Sequence, residues 1–386
     1  MTWNWIFALW ILLGSQLAFA SQTSGADISV KLFRTLLNST GYPNFVFSPY
    51  AVRYALGLAA FGAKGKTQRQ LGKTPDSWTV KKYRFQVASR LWIQSGIPIF
   101  ETFMEMCDKN FGARPWFVDF TKSPDFLTSR VNGWMEEKTS GQIREFMKDD
   151  SFPSSLKMFL SAAIYFKGDW MKPFDESYSK ISNFFLNSGE IQKTSFLRMT
   201  GNFNFYENSQ IQFLEIPYQD GDMAFVVILP DKKQSLKKLE DLIKSDALDY
   251  WISQLSLKPV QVSLPKFEID SASDLIEPLK SLGIVDAFSE QDADFSAMTD
   301  SRNLYLGTLK HKASISLTES GTEGGGGMGY GNQSRSVASA PWVFEANRPF
   351  FFGVRYRPSN TFILMGRFSQ PVGGKPIASF KAEYSG

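Results

Sequence analysis

The segment from Ser320 to Pro341 limits the folds that this chain can adopt. It carries six glycines within Gly324–Gly331, has only Glu323 and Arg335 as charged residues, and shows no hydrophobic period. Strongly apolar, strand-like runs stand before and after it. A structureless segment of this length inside a compact domain is normally either functional or disordered. The segment is therefore a candidate functional loop between two strands of the fold.

The rest of the chain alternates between helical and strand-like patterns. It has 386 residues, of which 43% are hydrophobic and 21% charged, and it shows no repeat, which indicates one large domain. Most strand-like runs are separated by turns rather than by helices, which favours an α+β fold with antiparallel or mixed sheets. Helical patterns cover 28–37, 49–61, 99–111 and 125–137, and strand patterns cover 85–93, 117–120, 158–166, 214–218, 223–229, 261–269, 304–317, 350–355 and 361–368.

The first twenty residues have the pattern of a secretory signal peptide. An apolar run extends from Trp5 to Leu13, and Ala18-Phe19-Ala20 has the small-x-small pattern that precedes a signal-peptidase cut. The run has no Lys or Arg before it, and the alternative is a membrane anchor, but the run is too short to span a bilayer. We expect cleavage before Ser21, a secreted, extracellular protein and no membrane span elsewhere.

Cys107 is the only cysteine, so the chain cannot form an internal disulfide. Its stability must come from packing alone, which is unusual for a secreted protein. Cys107 lies in an apolar run with helical spacing, and we expect a buried, inert thiol. The alternative is pairing with another molecule.

The residue inventory disfavours most enzyme classes. His311 is the only histidine, so any Ser-His-Asp or Cys-His catalysis would have to use it. It lies in an alternating, charged run, where a structural strand histidine is favoured over a general base, and a hydrolase using His311 is the weakest alternative. Phosphate-binding glycine motifs are absent. We expect no enzymatic activity, no cofactor, no metal site and no nucleic-acid partner.

Several motifs occur in a fixed order along nearly the whole mature chain. Together they resemble the serpin family of serine protease inhibitors, whereas each motif alone is a weak signal. The resemblance extends from about Ile28 to Pro371. The matching segments are Asn44–Tyr50, Gly62–Thr67, Val131–Trp134, Thr139–Ile143, Ala163–Trp170 with Pro173-Phe174, His311–Ala313, Glu319–Glu323, Asn347–Phe352 and Phe362–Pro371.

The resemblance implies three β-sheets, eight or nine helices and an exposed reactive-centre loop at about 319–341. It also implies a mechanism, in which the serine of a target protease forms an acyl bond at the cut loop. The freed loop then inserts as a new strand between those of Phe159–Phe166 and Leu304–Leu317, and the protease is trapped. We expect a signal peptide at 1–20, a monomeric serpin domain at 21–371 and a short tail at 372–386.

Family spacing also predicts the reactive bond. In the family, the residue before the cut usually lies sixteen positions beyond the acidic hinge residue, and from Glu319 this count gives Arg335, the only basic residue of the loop. The predicted cut therefore lies between Arg335 and Ser336. An arginine fits a specificity pocket that ends in a carboxylate, so we expect a trypsin-like target. The alternative is an incidental arginine in a linker.

The predicted hinge departs from the family, whose inhibitors usually have alanine-rich residues there. Glycine costs about 0.5–1 kcal/mol relative to alanine, so the tract removes roughly 2–4 kcal/mol from the inserted state. A dozen new strand hydrogen bonds at about 1 kcal/mol each outweigh this cost. We expect insertion to stay favourable but slower. The hinge residues are Glu319, Gly321, Thr322, Glu323, Gly324, Gly325, Gly326 and Gly327.

A second departure concerns the predicted sheet-opening region, formed by Ser48, Ala162 and His311. Ala162 stands where the family usually has an asparagine that hydrogen-bonds the strand histidine, so His311 must find another partner. This loss is expected to ease opening or to lower native stability. The glycine tract and Ala162 together motivate the main alternative, a non-inhibitory serpin with a carrier, chaperone or storage role.

Two further kinds of site follow from the sequence. Asn38 and Asn332 begin glycosylation sequons, and a glycan on Asn332 would obstruct docking and insertion. The stretch from Lys64 to Arg84 is polar, and we expect a surface segment in which a helix of the family is truncated. A solvated face is its ordinary interpretation, and a glycosaminoglycan site of the heparin type is the alternative. That site would use Lys64, Lys66, Arg69, Lys73, Lys81, Lys82 and Arg84.

Overall fold

The structure is a computed structural model that describes residues 25–40, 43–73, 84–147, 152–153, 155–322 and 340–371, with the side chains at 25–27, 39–40 and 84–85 left out. The predicted signal peptide, the tail and most of the reactive-centre loop lie outside these residues. The same holds for individual predicted sites, namely Glu323 to Gly327, Asn332, Arg335, Ser336, Lys81 and Lys82. The predicted domain boundaries stay predictions.

Eight α-helices occur in the described part of the chain, which agrees with the expected eight or nine. The second begins as its sequence predicts, because the Ser48 hydroxyl accepts a hydrogen bond from the Ala51 backbone N–H at 2.9 Å and Pro49 occupies the first turn. The helices are α1 Gly25–Thr40, α2 Pro49–Phe61, α3 Gly65–Leu71, α4 Glu101–Phe111, α5 Pro124–Lys138, α6 Leu236–Leu242, α7 Ser245–Ser253 and α8 Ile276–Ser281.

The larger sheet has nine strands in the order β1-β15-β14-β8-β7-β6-β9-β13, and β5 pairs with β6. β6 is 17 residues long and pairs with β5 and β9 along one part and with β7 along another. It therefore joins two of the three predicted sheets into one hydrogen-bonded network. The strands are β1 Phe45–Phe47, β5 Lys180–Phe185, β6 Ile191–Glu207, β7 Ile211–Pro217, β8 Met223–Pro230, β9 Ser256–Pro265, β13 Trp342–Glu345, β14 Phe350–Tyr356 and β15 Thr361–Phe368.

The second sheet has six strands in the order β10-β11-β12-β4-β2-β3. β4 and β11 are parallel and pair directly from Phe159 and Thr308 to Tyr165 and Ser314. Beyond this point they separate, and the two residues of β12 lie between them. We call the border between β4 and β11 the seam. The strands are β2 Arg84–Gln94, β3 Trp116–Val118, β4 Met158–Asp169, β10 Phe267–Asp274, β11 Thr308–Leu317 and β12 Gly321–Thr322.

The core is divided by the six-stranded sheet. Along β4, Ile164 and Phe166 pack towards the nine-stranded sheet, and Ala162 packs towards the helices at one end of the molecule. The alternate residues Phe159 and Ala163 face the opposite side, where α5 covers the sheet. β4 is buried on both faces, which explains its near-continuous apolar sequence.

The polar stretch after α2 begins with a short helix, most of whose residues are exposed. Residues 65–71 form α3, in which Thr67 and Leu71 are buried. These two residues are four apart and lie on one face of the helix, but a single such pair is too short a pattern to predict a helix. The burial expected for Cys107 is confirmed, and this burial raises the pKa of its thiol to about 12.

Candidate functional site

The seam is opened at one end by the start of the predicted hinge. The chain leaves β11, turns at Thr318, and returns antiparallel to both neighbours, with Gly321 opposite Asp169 and Thr322 opposite Gly168. The Gly321 carbonyl oxygen accepts hydrogen bonds from the Thr318 backbone N–H at 2.8 Å and from its hydroxyl at 3.0 Å. The loop therefore begins as a short strand inside the sheet.

The first inserted residues fit the seam closely. A Cβ atom on Gly321 would lie 2.1 Å from the Gly168 carbonyl oxygen, so only glycine is accommodated there. Thr322 is fully buried, and its hydroxyl lies 2.6 Å from the Tyr218 hydroxyl. Burial raises the pKa of Tyr218 well above its ordinary value, so this phenol stays protonated. Gly168 is also constrained, since a Cβ there would meet the Tyr218 ring at 2.6 Å.

Trp170 fixes the turn from which the loop enters. Its indole N–H donates to the Thr318 carbonyl oxygen, and its backbone N–H donates to the Ser320 carbonyl oxygen, both at 3.0 Å. Its ring stacks on Tyr218 with 4.8 Å between centroids. Trp170 therefore holds this turn in place beside Tyr218.

Glu319 is anchored by side chains from two other elements. The Lys266 ammonium lies 2.8 Å from one carboxylate oxygen, and the Ser179 hydroxyl donates to the other at 2.8 Å. Burial alone would raise the pKa of Glu319, but the hydrogen bonds from Lys266 and Ser179 outweigh it and hold the pKa below its usual value. This predicted hinge residue is thus a fixed point of the native state.

His311 makes two hydrogen bonds in the middle of the seam. The Ser48 backbone N–H donates to its Nε2 at 2.9 Å, so Nε2 carries no proton, and Nδ1 lies 2.9 Å from the Ala162 carbonyl oxygen and is the donor there. Ser48, Ala162 and His311 therefore meet as the sequence predicts. Backbone groups take the place of the absent asparagine. Burial lowers the pKa of His311 to about 4.

The missing asparagine leaves another group unsatisfied. Ser89, Ala162 and His311 lie side by side on adjacent strands. The Ser89 hydroxyl is buried, and it has no hydrogen-bond partner in the described part of the chain. Side chains opposite one another point to the same face of a sheet, so an amide at position 162 would be a near neighbour of this hydroxyl.

Sequence reasoning did not identify several residues of this site. Lys266, Tyr218, Ser179 and Ser89 all come from strands or turns distant in the sequence from the loop. Nothing in their local sequence marks them, because their importance follows from the register of β4, β11 and β12. Gly168 and Trp170 lie in the motif Ala163–Trp170, but the sequence predicted no role for either in holding the hinge.

Comparison with known proteins decides the family. The model of a family described as serpin (serine protease inhibitor) matches residues 23–371. The chain belongs to the serpin family. Serpin B10 of Papio anubis is 28% identical to it over 393 residues, which cover 90% of this chain and 99% of that protein. The leukocyte elastase inhibitor of Bos taurus is 30% identical over 377 residues, which cover 91% of this chain and all of that protein.

Solved serpin structures have the same fold. The crystal structure of native protease nexin-1 with heparin aligns with a TM-score of 0.80 at 26% identity, covering 90% of this chain and 98% of that one. A maspin crystal structure also gives 0.80, at 25% identity, covering 90% and 97%. The predicted α+β serpin fold is confirmed. The family is one of serine protease inhibitors, as the sequence motifs predicted.

The other predicted sites of this serpin lie away from the seam. Asn38 is exposed on α1. Lys66 forms an ion pair with Asp286 at 3.0 Å, so it is partly neutralised. Within the described ranges, no cluster of three potential metal ligands occurs, and no helix is both long and apolar enough to cross a membrane. The four described basic side chains near α3 are Lys64, Lys66, Arg69 and Lys73.

Proposed function

We propose that this serpin traps a trypsin-like serine protease after cleavage between Arg335 and Ser336. The observation that carries the proposal is β12, because the hinge already forms strand hydrogen bonds on both sides of the seam. Full insertion then requires only that β4 and β11 separate further along a border that has begun to open. The glycine tract that follows Thr322 brings no side chain that would obstruct this step.

The register of β12 predicts where the rest of the loop would lie after cleavage. Thr322 is opposite Gly168 on β4 and Leu317 on β11. Six residues further along, Met328 would come to lie between Ala162 and His311, on the same face as Thr322. In the inserted state Met328 would therefore fill the space above the small Ala162 side chain. This apolar match favours insertion in a serpin that lacks the usual asparagine.

The choice of target rests on the charge of Arg335. An arginine before the cut favours proteases whose specificity pocket ends in a carboxylate, since the planar guanidinium pairs with it through two hydrogen bonds. Trypsin is the simplest probe of this class. Mixing it with the serpin is expected to give a covalent complex that survives denaturation on a gel.

The control for this experiment is Arg335→Ala, which removes the guanidinium but leaves the hinge and the fold unchanged. It is expected to lose the complex with trypsin while keeping its unfolding temperature. If the wild-type loop is cut and no complex forms, the non-inhibitory alternative is favoured. A complex that persists in Arg335→Ala, or a cut elsewhere between Gly329 and Pro341, contradicts the assignment of the reactive bond.

We further propose that residues 1–20 direct secretion and are then removed. The apolar run and the Ala18-Phe19-Ala20 pattern support this proposal. Expression of the full chain in a secreting cell is expected to release a protein whose N-terminal residue is Ser21. Mass measurement of that protein also tests glycosylation of Asn38 and Asn332. Retention in the cell with an intact N-terminus would contradict the proposal.

Glycosaminoglycan binding by the basic residues around α3 is a second proposal. It is supported by the exposed Lys64, Arg69 and Lys73, and by the likeness to protease nexin-1, whose structure was solved with heparin. The pairing of Lys66 with Asp286 weakens it. Retention on a heparin column that falls when Lys64, Arg69 and Lys73 are replaced by glutamine would support it, and unchanged retention would contradict it.

A further inference from the structure

A recess of about 250 Å³ opens beside β13, the strand by which the reactive-centre loop rejoins the fold. It lies in the nine-stranded sheet, where β6 and β7 meet, and the chain beyond β8 closes its other side. None of these residues contributes to the seam. The side chains that matter below are Glu207, Gln212, Asp231, Val343, Glu345 and Arg348.

The recess has more negative than positive charge. It contains the carboxylates Glu207, Asp231 and Glu345, and in the described part of the chain none of them has a Lys or Arg nitrogen within 4.0 Å. The cations at the recess are Lys232, which is exposed, and Arg348. Three acids against two bases leave an excess of one negative charge.

Arg348 is committed to the floor of the recess. Its Nε and Nη2 both donate to the Pro230 carbonyl oxygen, at 2.9 and 2.6 Å. Burial lowers the pKa of Arg348, and the nearby Asp231 and Glu345 oppose this change by stabilising its charge. Arg348 therefore offsets part of the negative charge of Asp231 and Glu345, while Glu207 stays available to an incoming cation.

The mouth of the recess combines this carboxylate with exposed apolar surface. Val343, which lines the recess, is 56% exposed. The Gln212 amide donates to the Glu207 carboxylate at 3.0 Å and to the Val343 carbonyl oxygen at 3.1 Å, which fixes the charge relative to β13. A long basic side chain suits this surface, because its aliphatic stem can lie on Val343 while its charged end reaches Glu207.

The recess lies close in sequence to the proposed reactive bond, and a protease bound at that bond could supply such a side chain. Val343 lies eight residues beyond Arg335, so the two are at most about 27 Å apart in an extended chain. A protease domain of about 200 residues has a radius of gyration of about 16 Å. The recess is therefore within reach of a protease bound at Arg335.

We propose that this recess is a secondary docking site for a basic surface loop of the target protease. The inference rests on the proposed function and adds to it a second contact, outside the reactive-centre loop. Exposed charge pairs of this kind mainly change the rate and affinity of the first encounter and weaken with salt. The trap itself does not involve the recess, so the fraction of protease trapped after acylation is expected to stay the same.

The test measures binding of cationic trypsin whose nucleophilic serine is replaced by alanine, so that no acylation occurs. The double variant Glu207→Gln/Glu345→Gln is expected to bind it about 5–20-fold more weakly than wild type at low ionic strength, and the difference should shrink at high salt. Anionic trypsin with the same serine replacement should show no such loss. The matched control is Glu268→Gln, which removes an exposed carboxylate from β10.

The outcomes separate this proposal from the proposed function. Equal affinity of wild type and double variant for cationic trypsin, or an equal loss for anionic trypsin, overturns the docking site. Active cationic trypsin then reports on trapping by covalent complex formation. If the double variant forms the covalent complex and also binds serine-replaced trypsin as tightly as wild type, trapping is supported and the recess is not a docking site. If the double variant binds serine-replaced trypsin more weakly but wild type forms no covalent complex with active trypsin, the docking site is supported and trapping is contradicted. Equal unfolding temperatures show that the variants fold.

Discussion

His311 is neutral and buried in the native protein, and its protonation opposes folding. Burial lowers its pKa from 6.5 to about 4, so between these values the unfolded chain binds a proton that the folded chain does not. The stability from this residue is complete above about pH 6.5 and is lost as the pH falls towards 4. The loss amounts to about 3 kcal/mol at most.

Denaturant unfolding at pH values from 8 to 4 measures this effect. Asp and Glu side chains also titrate near pH 4. The informative quantity is therefore the difference in the free energy of unfolding between wild type and His311→Gln at each pH. The free energy of unfolding of wild type is expected to fall more steeply with acid between pH 6.5 and 4.5. Equal slopes for the two proteins would show that His311 is not responsible.

Ala162→Asn restores the side chain that the family usually has at this position. The new amide can hydrogen-bond the buried Ser89 hydroxyl, which has no partner in the described residues, and we expect about 1 kcal/mol of added native stability. Because the amide also fills the space proposed for Met328, the variant should insert its loop more slowly. More loop would then be cut without trapping.

The matched control for this prediction is Ala162→Leu, which has the same number of side-chain heavy atoms and the same branching but no hydrogen-bonding group. Unfolding temperature and the ratio of covalent complex to cleaved inhibitor are the two measurements. Asparagine is expected to raise the unfolding temperature relative to leucine. If Ala162→Asn unfolds at the same temperature as Ala162→Leu or at a lower one, the amide does not satisfy the Ser89 hydroxyl.

At the level of elements, β12 is the feature on which the mechanism depends. Thr322→Glu would place a charge at a fully buried position beside Tyr218, which costs several kcal/mol, and it adds no new cleavage site for trypsin. We expect the hinge to leave the seam and insertion to be blocked. Trypsin should then cut the loop as fast as before but form little complex, as judged by gel.

The control for this substitution is Thr322→Val, which keeps the shape and loses only the hydrogen bond to Tyr218. It should retain most of the complex formed by wild type. A Thr322→Glu variant that traps trypsin as efficiently as wild type would show that insertion does not begin at β12.

The sequence predicted strongly periodic elements well and irregular ones poorly. α5 was expected at 125–137 and extends from Pro124 to Lys138, and β4 was expected from Met158. β6 was missed, because it crosses between two environments and its buried positions follow no single alternation. Residues 261–269 were expected to form one strand, but β9 ends at Pro265 and β10 begins at Phe267.

For the molecule as a whole, the position of the seam could be predicted from family motifs. Whether the seam is already partly open could not. Sequence reasoning brought together Ser48, Ala162 and His311 and expected a hinge beginning at Glu319. It did not predict that Gly321 and Thr322 already lie in the sheet, because that depends on the fit among Gly168, Tyr218 and Trp170 across three elements. Contacts of this kind leave no periodic signal in any one segment.

The central claim is that the seam accepts the cut loop as a complete strand. The most direct test compares the unfolding temperatures of the intact serpin and the serpin cleaved at Arg335–Ser336. About a dozen new strand hydrogen bonds should raise the unfolding temperature of the cleaved form by on the order of 20 °C or more. An unfolding temperature that stays the same or falls after this single cut would contradict the account.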